Sequence, residues 1–393
     1  MKILFIAEGA TFAHTARPFV LAQGLLATDH QVTFARAPQY DWLTRDAAFP
    51  SVDLPCLPSE VVAERLRKGA PLYDYGTLEQ YVRDDLNLIR QVGPDVIIGD
   101  FRLSLSVSAR LAARPYISIC DAYWSPNAPG KLPLPVLPLT RRLPLAIATA
   151  AFSLAAPIAF RLHAHSLERV RSKHGLSSLN HDLRNCYTDA DLRLFPNFES
   201  LFPDLTTEPQ DRFLGPIAWS PSTTTLPSID LTNRQVAYVS MGSSGDLGTL
   251  TTLIPALVDS GYEVLLSSGG RSLPALGTAH VRIFDFLSGD AACEAATLVV
   301  CNGGSPTSNQ ALRKGKPVLG IVTNMDQFLN MRSIEKYGAG VAVRSDRATR
   351  TQLEHAIARI LGDSIYANRA ARLAANYHPS GHLDVLQAAL QGF

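Results

Sequence analysis

The clearest capacity for chemistry in this chain lies in the run Cys301-Asn302-Gly303-Gly304-Ser305-Pro306-Thr307-Ser308-Asn309-Gln310-Ala311-Leu312, which follows an apolar, strand-like segment and opens a helical one. Ser305 reads as the helix N-cap and Pro306 as the first helical residue, where a missing N–H is harmless. Gly303 and Gly304 let a ligand approach the backbone closely. Unpaired N–H groups and the helix dipole then make an anion site, suited to a phosphate or diphosphate. The alternative is an ordinary glycine-rich strand-to-helix turn. A second candidate is His14, in the loop Gly9-Ala10-Thr11-Phe12-Ala13-His14-Thr15-Ala16-Arg17-Pro18. An imidazole titrates near neutrality and can take a proton from a hydroxyl, although a lone histidine near a helix start is more often structural.

Other patterns carry less. Asp189-Ala190-Asp191 has the D-x-D spacing of a metal-diphosphate site, but it leads into Leu192-Arg193-Leu194-Phe195, which reads as a strand entrance. His163 and His165 would point to different faces of a helix, so they do not make a metal pair. The five cysteines (56, 120, 186, 293 and 301) are dispersed and odd in number, with no C-x-x-C pair. A disulfide framework or structural zinc is not expected, and a reducing cytosol fits best.

The elements that must position these groups are legible as two α/β halves. Lys2 to Ala7 is a continuous apolar run, the pattern of a parallel strand buried on both faces. It is also too short for a signal peptide. Pro18, Val20, Leu21, Leu25 and Leu26 recur at helical spacing, and Gln31 to Ala35 is the next strand, completing a β-α-β unit. Strands follow at 96–99 and 116–119, with a helical stretch at 103–113 between them. Residues 203–234 hold Pro203, Pro209, Pro216, Pro221 and Pro227 among small polar residues and read as an interdomain linker. The pattern then restarts: a strand at 236–240, the loop Met241-Gly242-Ser243-Ser244-Gly245, a helical face of Leu250, Leu253, Ile254, Leu257 and Val258, and strands at 264–267, 281–283, 298–301, 317–321 and 340–343. The fold class is α/β, with two Rossmann-like, doubly wound domains facing a central cleft, the default ligand site for such sheets.

The run from Cys301 to Val343, which includes Asn324-Met325-Asp326-Gln327 and Tyr337-Gly338-Ala339-Gly340, resembles the donor-binding region of family-1 glycosyltransferases of the GT-B fold. That family includes macrolide-type and plant secondary-metabolite enzymes. The resemblance implies that the glycine turn (Asn302, Gly303, Gly304, Ser305) binds a donor diphosphate, that Gln310 holds the ribose, and that Asp326 and Gln327 hold the sugar hydroxyls. Asn302 and Gln310 stand where the family has His and Glu, so both contacts lack a formal charge. Gly242 and Ser243 resemble the family's loop near the β-phosphate, and Phe286 lies where a ring stacks on the base. On the acceptor side, His14 stands where the family has its catalytic base. Asp100, at the end of the 96–99 strand, is the favoured partner for its tautomer, with Asp121 as the rival.

Tyr123 and Trp124 read as walls of an apolar acceptor pocket, or as core. After them, Leu143 to Phe160 runs 18 residues without a formal charge, flanked by Arg141, Arg142 and Arg161. It reads as a buried or acceptor-lining helix of about 27 Å, or as a surface that lies on a membrane or meets a lipid-like acceptor. The whole chain has 36 basic and 35 acidic residues and a net charge of +1, which excludes a bulk-charge nucleic-acid binder and an acidic disordered tail. With 46% hydrophobic residues in 393, it can bury sizeable cores.

The expected division is an acceptor-binding domain at 1–216, a donor-binding domain at 217–370 and a terminal helix at 371–393 that packs back on the first domain. The expected function is an inverting, metal-independent transfer of a hexose from a UDP- or dTDP-linked donor to a hydroxyl of a small, apolar acceptor. No cofactor beyond the nucleotide sugar is implied, and the location expected is the cytoplasm, with a peripheral membrane contact. Two alternatives stand beside it: a nucleotide-sugar epimerase or hydrolase on the same fold, and a non-catalytic nucleotide-sugar-binding partner protein.

Overall fold

The computed structural model describes residues 1–220, 226, 235–277 and 280–393. It divides into two units, and each has its own parallel sheet. The first unit takes 1–131, 150–217 and 378–393, and the second takes 132–149 and 218–377.

The first sheet is built from β1 (Lys2–Ala7), β2 (Gln31–Arg36), β3 (Ser51–Asp53), β4 (Val96–Asp100), β5 (Tyr116–Ile119), β6 (Leu192–Phe195) and β7 (Asp211–Phe213), in the order β3-β2-β1-β4-β5-β6-β7. All its pairings are parallel. The strand order reverses between β1 and β4, and ligands of open α/β sheets gather outside the carboxyl ends of strands at such a point. Ala7 is in register with Asp100 there. β1 is buried from Ile3 onward and β4 throughout, as continuous apolar runs require of a sheet covered on both faces.

The second sheet comprises β8 (Gln235–Ser240), β9 (Tyr262–Ser267), β10 (Val281–Phe284), β11 (Leu298–Cys301), β12 (Val318–Val322) and β13 (Gly340–Arg344), ordered β10-β9-β8-β11-β12-β13 and again parallel. Cys301 pairs with Ser240, so the loops after β11 and β8 leave the sheet side by side. Leu250, Leu253, Ile254 and Leu257 form the helical face that seals one side of this core.

Three organisational readings change. First, the supposed linker is partly sheet: Asp211–Phe213 is the edge strand β7, pinned by Arg193 Nε donating to Asp211 Oδ1 at 2.6 Å on directly paired residues. A three-residue strand is too short to show an alternation among prolines. Pro221 and Pro227 lie outside the described residues. Second, residues 132–149, though part of the first half of the sequence, belong to the second unit. Val136 N donates to Thr323 O at 2.8 Å and Arg347 donates to the Thr140 carbonyl at 3.1 Å. At the other end of the chain, the helix Gly381–Leu390 belongs to the first unit, packed on the helix Phe12–Gly24 and on β7.

Third, the apolar stretch at 143–160 is not a buried helix. It forms most of the helix Leu145–Lys173, whose most apolar 18-residue window is only 11% buried. Apolarity alone does not say what covers a helix.

Candidate active site

In the first unit the sequence places three polar groups at the ends of adjacent strands. His14 lies in the first turn of the helix Phe12–Gly24 that follows β1, Asp100 closes β4, and Asp121 follows β5. His14 Nδ1 lies 2.8 Å from Asp100 Oδ1. A carboxylate only accepts, so the proton of this bond is on Nδ1 and the lone pair is on Nε2. Nε2 has no hydrogen-bond partner among the described residues. Asp100 is the residue brought to His14. Asp121 reaches the cluster through Arg17, whose Nη1 donates to Asp121 Oδ2 at 2.7 Å.

Arg17 is the member that the sequence reading missed. Its Nε and Nη2 fork onto the two oxygens of Asp100, both at 2.9 Å. Arg17, Asp100 and Asp121 are all buried. Burial lowers the pKa of the Arg17 guanidinium, but the two carboxylates outweigh it and hold the pKa well above the ordinary arginine value. One guanidinium between two carboxylates leaves a single negative charge beside the imidazole, which an imidazolium would neutralise. Asn197 Nδ2 fixes the other oxygen of Asp121 at 3.0 Å. The available signal for Arg17 was its i+3 spacing from His14 on one helix face.

The imidazole is also held flat. The Phe101 ring stacks on His14 at 4.6 Å with 9° between planes, and Phe101 itself has φ +58. A bulky residue in the left-handed region is strained, and here a buried ion network anchors the turn. Next in the chain, Arg102 donates to Glu8 at 3.2 Å and to Asp85 at 3.0 Å and stacks over Tyr81 at 3.5 Å. Burial raises the Glu8 and Asp85 carboxyls above their usual range. From Phe101 the rings continue to Tyr187 (5.0 Å) and then Trp124 (4.9 Å). Tyr187 also lines a narrow apolar cavity with Leu72, Leu78, Leu103, Leu167 and Leu183. Tyr123 is buried, with its ring 6.5 Å from that of Phe202, and Trp124 joins the array.

In the second unit, the glycine turn has the expected backbone with a one-residue shift. Gly304 is the N-cap, in an extended conformation, and Ser305 and Pro306 are the first helical residues of Ser305–Arg313. Ser305 does not cap, because the Asn302 side chain makes the turn: its Oδ1 accepts from Gly304 N at 3.0 Å. Gly303 needs φ +81, which glycine alone adopts freely, and an added Cβ would meet Val322 at 2.6 Å. The first-turn N–H groups of Ser305 and Thr307 have no acceptor within the helix.

The amides expected to touch ligand are engaged with the protein. Asn302 Nδ2 donates to Ser244 Oγ at 3.1 Å, tying the two glycine loops together. Gln310, 8% exposed, donates to Trp219 O at 3.0 Å and Ser220 Oγ at 3.1 Å. Gln327, 1% exposed, caps its own helix by accepting from Thr323 N at 2.8 Å, and it donates to Ser244 Oγ at 3.2 Å. These contacts give Gln310 and Gln327 a bracing role in the loops, and neither bond pattern could be read from an isolated Gln. Asp326 stands in the first turn of Met325–Tyr337, beside that cap. Gly242 and Ser243 are exposed, and Phe286 is 63% exposed, its ring against Gly270. A cation attends the loop. Arg271 donates to Gly242 O at 2.9 Å and Gly245 O at 3.0 Å. The D-x-D pair is structural: Asp189 pairs with Arg110 and Arg171, and Asp191 accepts from Tyr116 N.

Residues 251–381 match the family model described as the C-terminal domain of erythromycin biosynthesis protein CIII-like proteins. A PGL/p-HBAD biosynthesis glycosyltransferase of Mycobacterium tuberculosis is 38% identical over 99% of this chain and 92% of its own length. A PGL/p-HBAD biosynthesis rhamnosyltransferase of Mycobacterium bovis is 39% identical over 95% of this chain and 83% of its own. Among solved structures, the spinosyn rhamnosyltransferase SpnG superposes with a TM-score of 0.71 over the full length of both chains at 21% identity. Its complex with thymidine diphosphate gives 0.67 over 98% of this chain and all of that one, at 20% identity.

Proposed function

The chain belongs to the family-1 glycosyltransferases of the GT-B fold, and from that premise we propose that it moves a hexose of the rhamnose type from a dTDP- or UDP-linked donor to a hydroxyl of an apolar, aromatic-bearing acceptor. The observation that carries this reading is the His14–Asp100 pair at 2.8 Å, with Nε2 open and Asp100 locked by Arg17. The rhamnosyltransferase relative and the thymidine diphosphate complex support the choice of donor.

In this mechanism His14 Nε2 takes the acceptor hydroxyl's proton as the oxygen attacks the anomeric carbon. Asp100 keeps the Nδ1 proton in place and stabilises the imidazolium without becoming protonated. The bond between the anomeric carbon and the diphosphate oxygen breaks with inversion. The charge that develops on the leaving diphosphate meets the N–H groups that open Ser305–Arg313, the Ser243 hydroxyl and the Arg271 guanidinium, so helix dipole and hydrogen bonds stabilise it without a metal. Asp326 accepts from the sugar hydroxyls, and Phe286 offers a stacking face to the base. The ring array from Phe101 to Trp124 suits an aromatic acceptor.

The test is a panel of nucleotide sugars crossed with phenolic and aliphatic alcohols, read by mass spectrometry. Transfer of a deoxyhexose to an aryl or lipid-like alcohol is the expected result. Donor turnover at full rate with no acceptor present would overturn the transferase mechanism in favour of hydrolysis or epimerisation.

A further inference from the structure

We propose that the exposed face of the helix Leu145–Lys173 is a docking surface for an anionic lipid bilayer. This goes beyond the transfer reaction and stands or falls independently of it. On this helix Ile147, Leu154, Ile158 and Leu162 are 56%, 82%, 64% and 60% exposed. Their spacing places them on one stripe. The opposite side is sparsely covered in the apolar part, where 11% of the most apolar window is buried. Ala148, Ala156 and Ala164 are buried, and further on Leu167 and Val170 join the core of the first unit.

The helix is long and apolar enough to cross a membrane by length and composition. Its C-terminal part, with Ala164, Leu167 and Val170, ends in the core of the first unit, so the whole helix does not stand in lipid. The arrangement is that of a helix lying in the plane of the interface.

Charge identifies the occupant. From residue 122 to residue 167 the sequence has no Asp or Glu, while Lys131, Arg141, Arg142 and Arg161 fall within it. Arg141 and Arg142, just before the helix, and Arg161, beside Ile158 and Leu162 on the outer stripe, are exposed and make no ion pair among the described residues. An apolar stripe on a segment that carries cations and no acidic residue from 122 to 167 matches acyl chains beneath anionic headgroups. A second copy seated on the same face by two-fold symmetry would instead bring these arginines against their own kind.

The full chain is tested by flotation with phosphatidylcholine vesicles, with and without phosphatidylglycerol. Binding to the anionic vesicles is expected, with at least about tenfold weaker partitioning onto the neutral ones. Leu154→Glu with Ile158→Glu should abolish binding to both. Arg141→Ala with Arg142→Ala should remove most of the preference for anionic lipid. Circular dichroism melting establishes that each variant is folded. Failure of the unaltered chain to float with anionic vesicles would overturn the proposal, as would undiminished binding by the Glu variant. A lipid-free dimer in sedimentation velocity that the Glu variant dissociates would assign the face to a second copy instead. None of these readouts uses donor or acceptor, so they remain informative whatever the fate of the transferase mechanism.

Discussion

The two units solve their polar problems in opposite ways. Around His14 the sequence spends buried full charges: Arg17, Asp100 and Asp121 interlock at 2.7–2.9 Å. Around the glycine turn it uses neutral groups. Asn302, Ser244 and Gln327 hold the two loops together, and one arginine lies at the rim. The difference follows from what each region must hold. A base needs a fixed tautomer and a counter-charge for the proton it gains, which a locked carboxylate supplies. A leaving diphosphate brings its own charge and needs preorganised dipoles, which backbone N–H groups supply without a buried ion.

The strongest way to break this comparison is at the base. His14→Ala should lower kcat by about 10²–10⁴-fold while leaving the affinity for the nucleoside diphosphate unchanged within about twofold. Isothermal titration beside steady-state rates separates the two quantities. Asp100→Asn should approach the same kinetic loss by disturbing the Nδ1 proton. It should also lower the melting temperature, because Arg17 is left buried with a single carboxylate. An Asp100→Asn protein with normal kcat would show that the charge cluster is structural only.

The second unit is probed next through the sugar. Asp326→Ala should reduce kcat/KM for the nucleotide sugar by roughly 10–100-fold, the size of a charge-assisted hydrogen bond. Binding of the free nucleoside diphosphate should change by less than about threefold. Equal losses of both would place Asp326 among the loop braces beside Gln327, not on the sugar.

How far these roles were legible differs residue by residue, and physics explains the pattern. Continuous apolar runs such as Ile3-Leu4-Phe5-Ile6 identify parallel strands, because both faces of such a strand are covered. The turn Gly303-Gly304 is legible because only glycine tolerates the φ +81 found at Gly303. Arg17 was not, since its partners lie 83 and 104 positions away and the sequence shows only a cation in a helix. Gln310 and Gln327 are legible only as polar candidates, because an amide can pair with many groups. Their commitments to Trp219, Ser220, Thr323 and Ser244 exist only in the fold. The transfer of residues 132–149 to the second unit is likewise invisible locally, since backbone bonds such as Val136 to Thr323 leave no compositional mark.

The smallest expected effect sharpens the comparison most, because it asks where the second unit gets its positive charge. The family that the sequence resembles implies histidine at position 302, and this chain has asparagine there. Arg271 is fastened to the carbonyls of Gly242 and Gly245 at the edge of the same loop, and burial pulls its pKa down from the ordinary value. A guanidinium nevertheless stays charged at neutral pH. If Arg271 compensates for the neutral residue, Arg271→Ala should weaken nucleoside diphosphate binding by about tenfold at low salt and less at high salt. Asn302→His in the native background should change affinity by only about twofold. In the Arg271→Ala background the same substitution should recover several-fold, a coupling that a double-mutant cycle measures directly. Additive effects of the two substitutions would mean that the loops hold the diphosphate by backbone dipoles alone, and the contrast between the units would then be sharper than the arginine at the rim suggests.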